Sequence, residues 1–193
     1  SAASDVYKRQ ITNIAKYHWR APAHWMYYFL QDADWGSNAL SWQWVCGTNS
    51  HKKYYANQAN INKFTKSKQY NTILDQEYSA LSILNVDNLY SQKCSLSLNT
   101  FFPNSDNFLN IKQKPICIYN FYNLDPNWRQ ELDAYRVLLI EPSIFKKYPV
   151  CDRSMKFMLD LSKNIKDIKV YVGEFSDLPI KDSPVFFKEH PLN

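Results

Sequence analysis

Glycine is nearly missing from this chain, with three in 193 residues. A phosphate cradle needs several, because only a residue without a Cβ lets the backbone close on a phosphate. Neither a GxGxxG run nor a P-loop occurs. Cysteine is also sparse. Cys46, Cys94, Cys117 and Cys151 are widely spaced, with no CxxC and no Cys/His spacing suited to zinc. They read as reduced thiols of a cytoplasmic protein, and no metal is expected. His18, His24, His51 and His190 likewise show no ligand spacing, and each reads as a surface or packing histidine. No apolar run approaches the ~18 residues of a membrane span, so no membrane partner is expected. Asp5, Lys8 and Arg9 interrupt any apolar core of a signal peptide.

Aromatic side chains are plentiful at 16%, enough to build a packed core. The net charge of +5 permits an anionic partner without demanding one. Five of the six tryptophans fall between Trp19 and Trp44. Indoles are awkward to bury, because each N–H needs an acceptor. Their crowding beside Asp32, Asp34 and Gln43 suggests a site for a flat aromatic ligand.

The pattern divides the chain. Ser1 to Gln10 reads as a translated sequencing-adapter tail and is left out of the fold expectation; the abrupt end at Asn193 suggests a fragment. Residues 11–95 read as helical. Ile11 to Tyr17 ends one helix, Pro22 suits the first turn of the next, and Ala23 to Gln31 continues it. Trp35 to Val45 is expected as a further helix, with Trp35, Asn38 and Trp42 on one face and Trp44 pointing elsewhere. Gly47 to Asn62 reads as loop with short helical pieces, and Asp75 to Leu84 as a weak helix.

Residues 96–114 read as a linker. Beyond it, 115–193 reads as a small α/β segment. Ile116 to Tyr122 and Arg136 to Ile140 are strand candidates. Asp152 to Ile165 is an amphipathic helix with Asp152 as expected N-cap, and Ile168 to Val172 is another strand. Strand, helix, strand at this spacing is a βαβ unit of a parallel, Rossmann-like sheet. The expected class is therefore mixed, all-α first and α/β second.

The segment Asp32-Ala33-Asp34-Trp35, Asn38, Trp42-Gln43-Trp44, preceded by Trp19-Arg20, resembles the FAD-binding helical domain of the DNA photolyase/cryptochrome family. The spacing fits that family without gaps from Trp19 to Trp44. The resemblance implies FAD as cofactor, held by Asp32, Ala33, Asp34 and Asn38. Asp34 would accept from the ring's N–H edge, Asp32 would pair with an upstream arginine, and Asn38 would face flavin N5. Trp42 and Trp19 would carry electrons to the flavin. Trp44 would line the pocket for a flipped-out pyrimidine dimer, with Lys52 and Lys53 on DNA phosphate. The implied activity is light-driven repair of pyrimidine dimers in damaged DNA by electron transfer from reduced FAD. The alternative is a cryptochrome-like photoreceptor without repair. One departure bears on this choice. Where many repairing members carry Tyr-Phe-Arg, this chain has Tyr55-Ala56-Asn57. Judged without the family, Trp35, Asn38 and Trp42 are most simply helix-packing residues.

Overall fold

The computed structural model describes residues 2–31, 34–86, 97–107, 114–180 and 182–190. The chain forms two compact units, one of Ser1–Tyr27 with Trp35–Leu96, the other of Tyr28–Asp34 with Ser97–Asn193.

The first unit is helical. Helix α1 covers Ala2–Arg9 and runs into a π-helical turn over Gln10–Ile14, closed by Ala15 N–H donating to Gln10 O at 2.9 Å. Helix α2 covers Arg20–Phe29, α3 Trp35–Cys46, α4 Gln58–Thr65 and α5 Tyr78–Ile83. Residues 2–9 were left out of the fold expectation. Instead they form α1, because Val6 supplies an apolar side chain that is buried with Ala56 and Ile61. Ile14, at the end of the π turn, packs with Leu81 and Val86. Asn13 is buried between them and donates its amide to two backbone carbonyls, Val45 O at 3.0 Å and Tyr54 O at 2.6 Å. It thus bonds one carbonyl at the end of α3, Val45 O, and one of the loop that follows, Tyr54 O. Asn57 caps α4, its side-chain oxygen accepting from Asn60 N–H at 3.0 Å.

The second unit is α/β. Strand β1 covers Ile116–Tyr119, β2 Tyr135–Ile140, β3 Lys169–Val172 and β4 Val185–Phe186. They form a parallel sheet in the order β3-β2-β1-β4. Helices α6 (Pro142–Lys147) and α7 (Asp152–Ser162) connect β2 to β3, giving the expected βαβ unit. All four residues of β1 are buried, as are the last four of β2. Side chains alternate across a strand, so such runs mean a sheet covered on both faces. One face presents Ile116, Ile118, Val137 and Leu139 to Leu178, Ile180 and Val185. The other carries Cys117, Tyr119, Leu138 and Ile140.

Two local expectations change. Strand β1 stops at Tyr119, not Tyr122, because Asn120 turns the chain: its carbonyl accepts from Asn123 N–H and its side chain from Tyr122 N–H. Helix α7 is capped at Cys151 rather than Asp152, and no side chain bonds its first N–H groups. Asp152 sits inside the first turn, where a carboxylate still complements the helix dipole. The outer edge of β3 is covered: Asp106 and Ser105 exchange hydrogen bonds with Val170 and Val172. That blunts an edge otherwise open to pairing with another strand.

Candidate functional site

Helix α3 carries the tryptophan motif and sorts it by side. Trp42 is 0% exposed and Asn38 is buried, whereas Trp44 is 53% exposed. Trp42 and Trp44 are two positions apart, about 200° around the helix, so one faces inward and the other outward.

The surroundings of Trp42 come largely from α1. Tyr7 meets its ring edge-on at 6.1 Å, and Lys8 Nζ lies 5.9 Å from the ring centroid. Lys8 is itself only 5% exposed and donates to Ser41 Oγ at 2.7 Å. Burial pushes its ammonium below the ordinary lysine range, with Asp5 opposing the shift. The indole N–H of Trp42 is buried with no acceptor. Such an orphan donor costs about 1–3 kcal/mol. Tyr7 also stacks on Trp25 at 6.0 Å.

Asn38 donates its amide to Ala23 O at 3.0 Å, tying α3 to α2. Trp35 packs against His24 at 4.2 Å and meets Tyr27 edge-on at 5.8 Å. Burial lowers the pKa of His24, and the nearby Arg20 lowers it further. A histidine depressed in the folded state resists a proton that the unfolded chain accepts. Stability is therefore expected to fall as pH drops below about 6.5, until the folded imidazole also titrates. His24→Phe should flatten that part of the pH profile, checked by urea midpoints at pH 7 and pH 5. Equal slopes in the two proteins would refute the assignment.

Trp19 is half-buried and tilts against His18 at 5.8 Å. Trp44 stacks near-parallel on Tyr54 at 6.4 Å, with Lys52 Nζ 5.6 Å from the Tyr54 centroid. Lys53 is exposed beside it. An indole, a phenol and two ammonium groups therefore share the surface after α3. Asp34 belongs to the second unit, where its carboxylate meets His190 Nε2 at 3.3 Å. Asp32 and Ala33 lie outside the described residues.

Two of the residues that build this environment, Tyr7 and Lys8, fall in the stretch set aside as a tail. His190 is 156 positions from Asp34, beyond any local pattern. Only the aromatic spacing of α3 was available to signal the arrangement.

The chemistry of α3 suits a flavin in one respect and is committed in another. The unpaired indole N–H of Trp42 is a donor, but it is sealed inside the helical unit and would need an opening of that core to meet a flavin acceptor. The amide N–H of Asn38 is already used by Ala23, which leaves its carbonyl oxygen as the atom able to accept from a ligand N–H.

The α/β unit has its own cavity, about 220 Å³, lined by Asn120, Glu141, Phe175 and Phe187 just past the four strand ends. In open parallel sheets this is where ligands bind. Among the described residues no group of three or more His, Cys, Asp or Glu is placed to hold a metal ion. No described helix is long and apolar enough to cross a membrane. No protein family, curated protein or solved structure significantly matches this chain.

Proposed function

We propose that this chain serves light-driven, FAD-dependent repair of pyrimidine dimers in DNA. The observation that carries the reading is the inside/outside partition of Trp42 and Trp44 on α3. Electron transfer through an indole is favoured by a dry, rigid setting, and Trp42 is sealed from water against Tyr7. Recognition of an unstacked base needs an exposed aromatic face, and Trp44 with Tyr54 supplies one. Lys52 and Lys53 bring positive charge to the same surface, as point charges rather than a bidentate fork.

When bound, reduced FAD supplies the electron that splits the dimer. The protein's share is placement. Asn38 would accept from the flavin with its carbonyl oxygen, Trp42 would relay electrons to it, and Trp19 would extend the relay. Trp44 would hold the extruded dimer, whose weakened stacking lowers the cost of flipping.

A cryptochrome-like photoreceptor is the second reading, and one observation favours it. Asn57, standing where repairing relatives of this type carry a phosphate-binding arginine, is used as the cap of α4.

The test separates the two indoles. Trp44→Ala should lower affinity for dimer-containing oligonucleotide about fivefold or more, with little change for undamaged duplex. Trp42→Phe should slow flavin photoreduction yet leave repair intact once the flavin is reduced chemically. Equal affinities of wild type and Trp44→Ala for damaged DNA would sink the repair reading. Repair lost in chemically reduced Trp42→Phe would contradict the relay.

A further inference from the structure

The 220 Å³ cavity of the α/β unit owes its position to topology. The chain builds β1, then β2 and β3 to one side of it, then β4 on the other. The strand order thus reverses at β1, and the crevice past such a reversal is where open parallel sheets take ligands. The described lining draws on all four strand ends. Asn120 lies just past β1, Glu141 past β2, Phe175 past β3 and Phe187 past β4.

These side chains are held in place by the unit itself. Glu141 Oε1 accepts from Phe175 N–H at 3.2 Å, which joins the ends of β2 and β3. Gly173 has no Cβ, and one would stand 2.8 Å from the Tyr171 ring. With that ring in place, its hydroxyl donates to Asp177 O at 2.9 Å and fixes the 3-10 turn Phe175–Asp177. Phe187 is followed by two anchors. Lys188 Nζ lies 5.7 Å from the Trp128 ring centroid, and His190 stacks on Tyr122 at 3.8 Å. Asn120 Oδ1 accepts from Tyr122 N–H at 2.9 Å, which leaves its amide N–H groups as the donor end.

Each group has a defined use. Phe175 is 43% exposed and Phe187 62% exposed, so a flat ring laid on them removes apolar surface from water. A carboxylate accepts up to about four hydrogen bonds, so Glu141 can hold further donors besides Phe175 N–H. In nucleotide-binding sheets an acidic side chain beyond the first turn takes a ribose hydroxyl. No glycine occurs between Tyr119 and Ile140, so the turn after β1 is not built to close on phosphates.

We propose that this cavity binds a nucleoside without its phosphates. The base lies against Phe175 and Phe187, Asn120 donates to a ring nitrogen, and Glu141 accepts from the two ribose hydroxyls. The volume falls below the roughly 300–1,000 Å³ of drug-sized sites, which suits a nucleoside rather than a dinucleotide. The inference is separate from the flavin reading, since it uses neither Trp42 nor Trp44.

Adenosine is the probe, and 2′,3′-dideoxyadenosine is its counterpart without the diol. Calorimetry on the full chain should show saturable adenosine binding. The dideoxynucleoside should bind about tenfold or more weakly, as expected for hydrogen bonds lost to a charged group. Adenosine 5′-monophosphate should bind no more tightly than adenosine. Glu141→Gln should lower adenosine affinity about tenfold and leave the dideoxynucleoside within about twofold. Phe187→Ala should weaken both nucleosides about fivefold or more, and Trp44→Ala neither. The comparison of ligands on the wild type needs no variant, so a misfolded substitution cannot shield the idea. No adenosine binding, equal affinity for the two nucleosides, tighter binding of the monophosphate, or undiminished adenosine binding by folded Glu141→Gln would each overturn it.

Discussion

Trp42→Ala is expected to destabilise the helical unit by about 3–5 kcal/mol, the range for truncating a large aromatic in a packed core. Trp42 has no exposed surface and anchors α3 against Tyr7 and Lys8 of α1. Removing the indole leaves a cavity and also strips the face over which the buried Lys8 ammonium sits. One term acts in the opposite direction. The buried indole N–H has no acceptor, so deleting it recovers part of the loss. Trp42→Phe keeps most of the volume and removes the orphan donor, and should cost only about 1–2 kcal/mol. Denaturant unfolding of both variants, followed by far-UV circular dichroism, distinguishes the two. Equal losses would mean that cavity formation is not the governing term.

Leu138→Ala in the centre of β2 should cost the α/β unit about 2–5 kcal/mol. Leu138 has no exposed surface, and its strand is flanked by β1 and β3. The sheet has four short strands, and among the described residues only the β2–β3 crossover carries α-helices. Little else compensates a void at its centre. Trp128 reports on this unit, because Tyr119 packs against it edge-on at 5.2 Å and donates to its carbonyl. The loss should therefore appear as an earlier transition in Trp128 fluorescence, read in a chain whose other tryptophans are replaced by phenylalanine. A midpoint unchanged from the parent would show that β2 is not central to that core.

The two-part architecture was legible because its periodicities differ. Helical spacing of Trp35, Asn38 and Trp42 put the buried side of α3 where the structure has it. The apolar runs Ile116–Tyr119 and Val137–Ile140 mark strands buried on both faces, and the helices between β2 and β3 carry the chain over so that those two run parallel. Strand β4 has two residues and lies beyond that pattern; its place beside β1 depends on pairing across the whole unit. The π turn at Gln10–Ile14 was also illegible, since its local sequence reads as an ordinary helix end. Helix α1 went unread because its residues were set aside as a tail; its one strongly apolar side chain, Val6, is buried by neighbours distant in sequence.

The packing of α3 was legible in its spacing, and the residues around it were not. The residues that give Trp42 its environment, and the His190 partner of Asp34, are set by tertiary packing. Trp44 is exposed and stacks on Tyr54. Its exposure follows from α3 itself, since a residue two positions from a buried one faces nearly the opposite way.

The most direct measurement of the central claim is light-dependent dimer loss. The purified chain, supplied with FAD under reducing conditions, is mixed with an oligonucleotide holding one thymine dimer and illuminated with blue light. Restored thymines in the light and none in the dark are the predicted result, abolished by Trp44→Ala at low substrate. Dimers that persist equally in light and dark, with flavin bound, would contradict repair and leave the photoreceptor reading in its place.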